Sequence, residues 1–598
     1  MAWKLLRFQP GPPAASSSRG VMGSYFRALA IDYDGTLTET PRPSADVLEG
    51  LSRVRQAAGL RLILVTGRIL AELRGVFPDF EDHFDLVVAE NGAVLHAEGV
   101  SRALTAPVPA ALDEALLRRG IAFRRGQVLL ACDGEHDIAI LEELRWLGLD
   151  CPIVRNRSQL MVLPAGITKG SGVSEALSQL GISRHNAIAV GDAENDLALL
   201  DVCELGLAVA NAVPSLKERA DVVLGEPDGS GVASLLVGPL LRDEIRVEPR
   251  RWQVDLGRSP EGEPVAIPGS RVNLLVTGGS GSGKSYAAGF FAERLISLGY
   301  SVCVFDPEGD HGPLGRLRGV VLVGGREALP APAQLARIVQ RGLGSVVVDL
   351  SFARADRAAY IGEALGALEK LRADTGLPHW IFVDEAHVPL GVEGVARRCF
   401  NPARKGFCLV TYRPVELCNG AKEGFDFFLA LPGERGVDPE IRDALARAAG
   451  FSPDALDPQL TGIGLGQAVL VRPGSPPELR VFSLAPRWVA HVRHWHKYAG
   501  SRLPPAQRFH FRNRRGATGA VVANLAEFHH EIRRSAEDVL RHHAGGSDFS
   551  RWIQDVIQDS TLAASVRPVE ARLGPASSSA VESLRSELLE AIEKRYLA

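Results

Sequence analysis

The sequence predicts an α/β protein with two sheet-containing domains and a smaller helical one, and three observations carry that prediction. Short apolar runs alternate with stretches of helical period between Tyr25 and Leu431. Several of these runs end in a glycine or an acidic turn, as parallel strands do where they hand over to a helix. The chain has 598 residues, which at about 150 per domain asks for roughly four structural pieces.

Residues 1–21 carry Lys4, Arg7 and Arg19 without an acid, and Gln9-Pro10-Gly11-Pro12-Pro13 interrupts any apolar segment. They read as a disordered leader rather than a secretory signal, with a start at Met22 as the alternative. A first domain over 22–240 opens with a strand at 28–33, a helix at 45–58 and a strand at 61–66. A segment over about 93–167 breaks the alternation and reads as an inserted α+β cap. A helix from Lys169, a strand at 187–191 and a helix from Glu194 then resume it.

Residues 241–270 are polar and Pro-bearing and read as a linker and lead-in to a second α/β domain over 271–486. That domain starts with a strand at 272–277 and a helix at 283–298. Strands follow at 301–306, 320–323, 345–350, 379–384, 407–411 and 427–431. Residues 487–598 turn to His-, Arg- and Glu-rich helices with one aromatic strand near Phe509, a small, mainly helical accessory domain.

Hydrophobic residues make up 46%, charged residues 23%, and the net charge is -4. This excludes a uniformly basic nucleic-acid binder and a polyacidic chain, but leaves room for a local basic groove. The 7 cysteines are scattered without a CxxC pair, which argues against a disulfide framework or a zinc ribbon and for a reducing, cytoplasmic location. No apolar run approaches the ~18 residues of a membrane span.

Asp32-Tyr33-Asp34-Gly35-Thr36 ends the first strand and puts two carboxylates at the C-terminal edge of a parallel sheet. Thr66-Gly67-Arg68 ends the next strand, Lys169 opens a helix, and Gly191-Asp192-Ala193-Glu194-Asn195-Asp196 ends another strand. A nucleophilic carboxylate, a second one to shuttle a proton, and a hydroxyl and an ammonium to hold phosphoryl oxygens are the needs of phosphoryl transfer through an aspartyl phosphate. Anionic nucleophile and anionic substrate repel each other, so a divalent cation is needed, and hard oxygen ligands favour Mg²⁺.

This ordered set resembles the haloacid dehalogenase (HAD) superfamily of phosphatases, over about Tyr25 to Leu240. The resemblance implies a Rossmann-like core in which Asp32 is the nucleophile and Asp34 the general acid/base. It gives phosphate binding to Thr66, Gly67, Lys169 and Asn195, and Mg²⁺ to Asp32, Asp192 and the Asp34 carbonyl, with Asp196 supporting the metal shell. The cap between Glu90-Asn91-Gly92 and Lys169 resembles the C2 type of the IIB branch, which includes Cof-like, sucrose-phosphate and phosphoglycolate phosphatases, and Asn211 fits the same branch. Arg124, Arg125, Arg155 and Arg157 are candidate contacts for an anionic leaving group, with solvated surface positions as the alternative.

Gly278-Gly279-Ser280-Gly281-Ser282-Gly283-Lys284-Ser285 follows a strand and opens a helix, the context of a phosphate-cradling P-loop. Lys284 reaches the β- and γ-phosphates of ATP and Ser285 ligates Mg²⁺. Asp384 and Glu385 end another apolar strand, where Asp384 holds the Mg²⁺ water shell and Glu385 polarises the attacking water. With Phe305-Asp306-Pro307-Glu308-Gly309-Asp310 and Thr411-Tyr412-Arg413-Pro414, this resembles the HerA/FtsK branch of P-loop ATPases over about Ile245 to Pro486. Members commonly carry Gln where this chain has Tyr412. The resemblance implies a hexameric homo-oligomer with an arginine given in trans, for which Arg413 and Arg435 are candidates. A nucleic-acid partner is one reading; Arg397, Arg398, Arg404 and Lys405 are either part of it or a solvated face.

In the tail, His491, His494, His496, His529, His530, His542 and His543 have no neighbouring Cys and no HExxH, so no metal is assigned. Phe509-His510-Phe511-Arg512-Asn513-Arg514-Arg515 mixes aromatics and arginines, as a single-strand binder or as a strand half in the core. The function expected is a Mg²⁺-dependent phosphatase acting on a small phosphorylated metabolite, such as a sugar phosphate or a phosphoglycolate-like compound, fused to an ATP-binding and ATP-hydrolysing domain. The alternative is a nucleic-acid motor or nucleotide-gated assembly whose phosphatase half processes nucleic-acid ends or nucleotides.

Overall fold

The computed structural model describes residues 25–596, apart from 157–158, 280–281, 343, 354–355, 399, 419–423, 434–436, 451–459, 461–462, 465, 475, 489–502, 504, 558 and 574–577. The expected leader and Met22 therefore lie outside the described residues, as do Arg157, Ser280, Gly281, Arg435, His491, His494 and His496. The chain divides into two compact units. The first runs to Pro249 and includes Arg372–Gly376; the second takes Arg250–Leu371 and the chain from Leu377. Among the described residues no helix is long and apolar enough to cross a membrane.

The first unit contains β1 (Ala28–Asp32), β2 (Arg61–Val65), β3 (Leu86–Ala89), β4 (Val94–Ala97), β5 (Val100–Ala103), β6 (Phe123–Arg125), β7 (Leu130–Asp133), β8 (Ile153–Asn156), β9 (Gln159–Val162), β10 (Ala187–Gly191), β11 (Leu205–Ala208) and β12 (Val222–Val223). Eight of them form one sheet in the order β12-β11-β10-β1-β2-β3-β4-β5. Pairing is parallel from β12 to β3. Every residue of β1 and β10 is buried, which is why both read as unbroken apolar runs rather than as alternation. The helix Ala45–Ala58 starts where Ser44 accepts a hydrogen bond from the Val47 N–H, and stops at Gly59, whose φ of 62° suits a residue without Cβ.

The cap is smaller than the sequence suggests. β4 and β5 pair antiparallel onto β3, and Val94 and Leu95 are buried in the main core. An antiparallel hairpin on a sheet edge breaks a parallel alternation as thoroughly as an inserted domain does, so the expected boundary near residue 93 falls too early. The cap proper is the antiparallel sheet β6-β7-β9-β8 with the helices Ala110–Arg118 and Asp137–Trp146. Its core is Leu112, Leu116, Leu130, Ile140, Leu160 and Val162, each contributing about 1.5–3 kcal/mol on burial.

The second unit carries β13 (Gln253–Arg258), β14 (Pro264–Pro268), β15 (Leu274–Gly278), β16 (Val302–Asp306), β17 (Val320–Gly324), β18 (Ser345–Asp349), β19 (Trp380–Val383), β20 (Phe407–Thr411), β21 (Phe427–Leu431), β22 (Gln467–Arg472) and β23 (Glu478–Leu484). They form one sheet in the order β14-β13-β23-β22-β21-β15-β20-β19-β16-β18-β17. β15 lies parallel between β20 and β21. β13 and β14 belong to this sheet, through the pairing of β13 with β23, so part of the expected linker is a hairpin of the second domain. Its signal is the buried pairs Val254/Leu256 and Val265/Ile267 on either side of a polar Ser259-to-Gly262 turn.

The C-terminal region of this unit is the hairpin β24 (Phe509–Asn513) and β25 (Gly516–Val522) with the helices Leu525–Arg534, Glu537–Gly545, Asp548–Asp555, Ser560–Leu573 and Ser578–Tyr596. It has its own core around Phe509, Phe511, Phe528, Phe549 and Trp552.

Candidate active site

In the first unit, β1 lies between β10 and β2 with Ile31 opposite Val190 and Asp32 opposite Val65. The three strands therefore end level, and Asp32, Thr66 and Asp192 emerge side by side. Lys169 is the first residue of the helix Lys169–Leu180, whose cap is reciprocal between Thr168 and Ser171. An ammonium at a helix N-terminus opposes the helix dipole and here is supported by two carboxylates. Its Nζ donates to Asp32 Oδ1 at 2.6 Å and to Asp196 Oδ1 at 2.7 Å, and all three side chains are buried.

Asp196 uses its other oxygen to accept the N–H groups of Asp192 and Ala193, both at 3.0 Å. This clasps the turn after β10 and aims Asp192 at β1. Asp192 accepts the Thr36 hydroxyl at 3.2 Å. Oxygens of Asp32, Asp192 and Asp196 all lie within 4.8 Å of one another. Burial pushes the Asp32 carboxyl well above the usual carboxylate range, the Asp196 charge adds to this, and Lys169 opposes it. Burial disfavours the Lys169 charge, but Asp196 and then Asp32 hold that amine above its ordinary value. Three carboxyl groups face a single ammonium, so the cluster has room for a further cation. That oxygen-only donor set suits a hard dication such as Mg²⁺.

Asp34 is held by Arg68, whose Nε donates to Oδ1 and Oδ2 at 3.0 and 2.9 Å and whose Nη2 donates to Oδ1 at 2.6 Å. The Thr66 hydroxyl, buried, accepts the Arg68 N–H at 3.0 Å, with Gly67 in the turn between them. The Asn195 amide donates to Asn91 Oδ1 at 3.2 Å, and that of Asn211 to the Gly35 carbonyl at 2.8 Å.

A cleft of about 730 Å³ opens beside this constellation, lined by Asn91, Arg155, Thr168, Glu194 and Asn195 among others. Of the expected cap arginines, Arg155 lines it, paired with Asp137. Arg124 pairs with Glu72 at 2.8 Å and Arg125 with Asp113 at 2.7 Å. Two residues without an expected role stand out. Arg68 had only its place beside Thr66 to mark it. Glu90 is fully buried, and its carboxylate accepts the N–H groups of Gln127, Val128 and Leu129 at 2.8, 2.8 and 3.1 Å. It thereby ties the core to the cap, and its one sequence-level sign is the adjoining Asn-Gly.

In the second unit, Gly278 closes β15 and Gly283, with φ 92°, turns the chain into the helix Lys284–Leu298, on which Ser285 is the second residue. Lys284 Nζ donates to the Gly279 carbonyl at 2.9 Å, and the buried Ser282 hydroxyl has no hydrogen-bond partner among the described residues. A retracted lysine and an idle hydroxyl in a glycine-rich turn fit a phosphate chain. Lys284, Glu308, Arg357, Glu385, His387 and Tyr412 line one cleft of about 590 Å³. Glu385 sits at φ 50°, an uncommon conformation for a residue with a Cβ.

Beside Glu385, the buried Asp384 meets His311 Nε2 at 3.2 Å, and Asp306 accepts the N–H groups of Gly309, Asp310 and His311. Burial pushes Asp306 up to about 7, with His311 opposing. Tyr412 lies with its ring centroid 5.8 Å from Lys284 Nζ and 4.7 Å from the His387 ring. Arg413 pairs with Glu416, Arg404 with Glu369, and Lys405 with Asp426; the Arg397 and Arg398 side chains lie outside the described residues.

In the tail, His529 meets Glu593 and His530 meets Arg534. His543 takes Asp548 on one nitrogen and the Arg512 N–H on the other.

A family model described as haloacid dehalogenase-like hydrolase matches residues 150–236, and one described as helicase HerA, central domain, matches residues 271–358. A phosphoglycolate phosphatase of Methanothermobacter thermautotrophicus is 34% identical over 219 residues, 35% of this chain and 96% of its own length. One of Pyrobaculum aerophilum is 33% identical over 218 residues, 34% of this chain and 92% of its own. Among solved structures, a haloacid dehalogenase-like hydrolase from Bacteroides thetaiotaomicron aligns with a TM-score of 0.31 at 21% identity, covering 35% of this chain and 98% of that one.

Proposed function

The chain belongs to the haloacid dehalogenase-like hydrolases and is a phosphoric monoester hydrolase fused to a HerA-like unit, and we propose that it acts on a small phosphate monoester through an aspartyl phosphate. The observation that carries this reading is the Lys169 ammonium bridging Asp32 and Asp196 at the ends of β1 and β10. Asp32 attacks phosphorus, the bond to the leaving oxygen breaks, and Asp34 gives that oxygen its proton. Asp34 then takes a proton from water, whose oxygen attacks the acyl phosphate, releasing inorganic phosphate and restoring Asp32. Thr66, Lys169 and Asn195 hold the phosphoryl oxygens, with Gly67 bringing the backbone close, and Arg68 positions Asp34. Asp32, Asp192 and the Asp34 carbonyl, with Asp196 behind them, would hold Mg²⁺, which would supply the positive charge that lets two anions meet.

The substrate is a phosphoglycolate-like or sugar phosphate. The phosphoglycolate phosphatases are its relatives at 33–34% identity, and Arg155, which lines the cleft paired with Asp137, can exchange that carboxylate for a second anionic group of the substrate. Phosphate release from a panel of sugar, glycolate and nucleotide phosphates with Mg²⁺ tests this. Release that persists undiminished in Asp32→Asn overturns it.

The second unit binds and hydrolyses ATP: Gly278 to Ser285 cradle the phosphates, Asp384 and Ser285 serve the nucleotide's Mg²⁺, and Glu385 polarises water. A second reading, a nucleic-acid motor or nucleotide-gated assembly of several copies, is favoured by the HerA match over residues 271–358. Nucleic-acid-stimulated ATP turnover distinguishes it from a unit that only regulates the phosphatase.

A further inference from the structure

The C-terminal hairpin is a basic surface whose tip arginines have no carboxylate partner among the described residues. Residues 501–526 contain five arginines and no Asp or Glu, in a chain with 71 acids against 67 Lys and Arg. β24 turns Phe509 and Phe511 into the core and His510 and Arg512 to solvent. Arg514 and Arg515, both exposed, occupy the two-residue tip between the paired Asn513 and Gly516. Tight hairpin tips favour Gly and Asn because one or both positions usually need positive φ. Here Gly516 takes that burden with φ 129°, and neither arginine is at positive φ. The tip is therefore free to carry two charges.

Elsewhere in the same region five arginines pair with carboxylates, while Arg534 meets His530 and Arg567 meets Gln554. Arg533 pairs with Glu593, Arg541 with Glu537, Arg551 with Asp548, Arg572 with Glu587 and Arg585 with Glu582. Among the described residues no carboxylate lies within ion-pair distance of Arg512, Arg514 or Arg515. The acid beside the tip, Asp538, bonds Asn513 at 3.0 Å instead. The facing strand offers only Gly516, Ala517, Thr518, Gly519 and Ala520, mostly exposed, so nothing bulky screens the arginines. The hairpin is also braced: His543 accepts the Arg512 N–H at 2.8 Å, and Thr518 donates to the Phe511 carbonyl at 2.8 Å.

We infer that this hairpin docks the phosphodiester backbone of a nucleic acid. Planar guanidinium groups match phosphate oxygens in pairs. Because Phe509 and Phe511 are buried, the strand's phenylalanines offer no stacking platform beside the charge, so the contact rests on phosphates rather than bases. Binding is therefore insensitive to sequence and steeply dependent on salt.

The test is fluorescence anisotropy of the full chain with a labelled random-sequence single strand and its duplex, across a salt series, with polyglutamate as competitor. Arg512→Ala/Arg514→Ala/Arg515→Ala is expected to weaken binding about 10- to 100-fold and to reduce the log–log salt slope by about 2–3. The corresponding triple Lys variant keeps most of the affinity, and nucleic-acid-free ATP turnover and thermal melts stay those of the unchanged chain. Absence of binding at low salt, equal binding by the Ala variant, or polyglutamate competing as well as DNA would each overturn the proposal.

Discussion

Arg68 grips Asp34 through three hydrogen bonds of 2.6 to 3.0 Å, so the second carboxylate after β1 is positioned by a side chain at the end of the neighbouring strand. Its guanidinium also lies over the Tyr33 ring at 5.5 Å. The fork geometry fixes both carboxylate oxygens, which a single ammonium cannot do.

Arg68→Ala is therefore expected to lower kcat about 10- to 100-fold, the usual cost of a misplaced catalytic group, with a smaller change in KM. Arg68→Lys recovers part of the loss. Steady-state kinetics on the best substrate of the panel checks this, and a change confined to KM would assign Arg68 to substrate binding instead.

Removing the proposed nucleophile is a sharper case. Asp32→Asn keeps nearly the same volume and still accepts a hydrogen bond from Lys169, so the fold and Mg²⁺-dependent substrate binding are retained while phosphate release disappears. Calorimetric binding alongside a phosphate assay separates the two properties.

The buried pair beneath it predicts a stability effect. Lys169→Met leaves Asp32 and Asp196 buried without their cation, and breaking such a pair costs about 3–5 kcal/mol. The melting transition of the first unit should fall accordingly, and added Mg²⁺ should recover part of the loss by binding the carboxylates. A variant that melts like the parent chain would show that Lys169 does not hold this cluster together.

The two chemical sites should also separate. Lys284→Ala is expected to abolish ATP turnover, and Glu385→Gln to retain ATP binding while slowing hydrolysis. Monoester hydrolysis without nucleotide stays unchanged in both. Loss of nucleotide-free phosphatase activity in Lys284→Ala would mean that the two units do not work independently.

Much of this was legible in the chain. Parallel strands buried on both faces read as apolar runs, and the α/β class with its strand ends at Asp32, Thr66, Asp192, Gly278 and Asp384 follows from them. The edges of the domains were not. β4 and β5 resemble cap strands until their pairing with β3 is known, and β13 and β14 resemble a linker until β13 meets β23. The aromatic strand at Phe509 fitted either a stacking surface or a core, and the packing of Phe509 against Phe528, Phe549 and Trp552 decided for the core.

By itself the sequence determined which residue types stand at which strand ends, because a carboxylate after an apolar run and a lysine at a helix start are local facts. Only the tertiary structure decided their partners. Lys169 meets Asp32 across 137 positions, Arg68 meets Asp34 across 34, and Glu90 reaches three N–H groups of the cap. Among the described residues, none of Arg512, Arg514 and Arg515 was given a carboxylate partner. A hydrogen bond or an ion pair needs atoms within a few ångströms, and spacing along the chain carries no such distance until the sheets have formed.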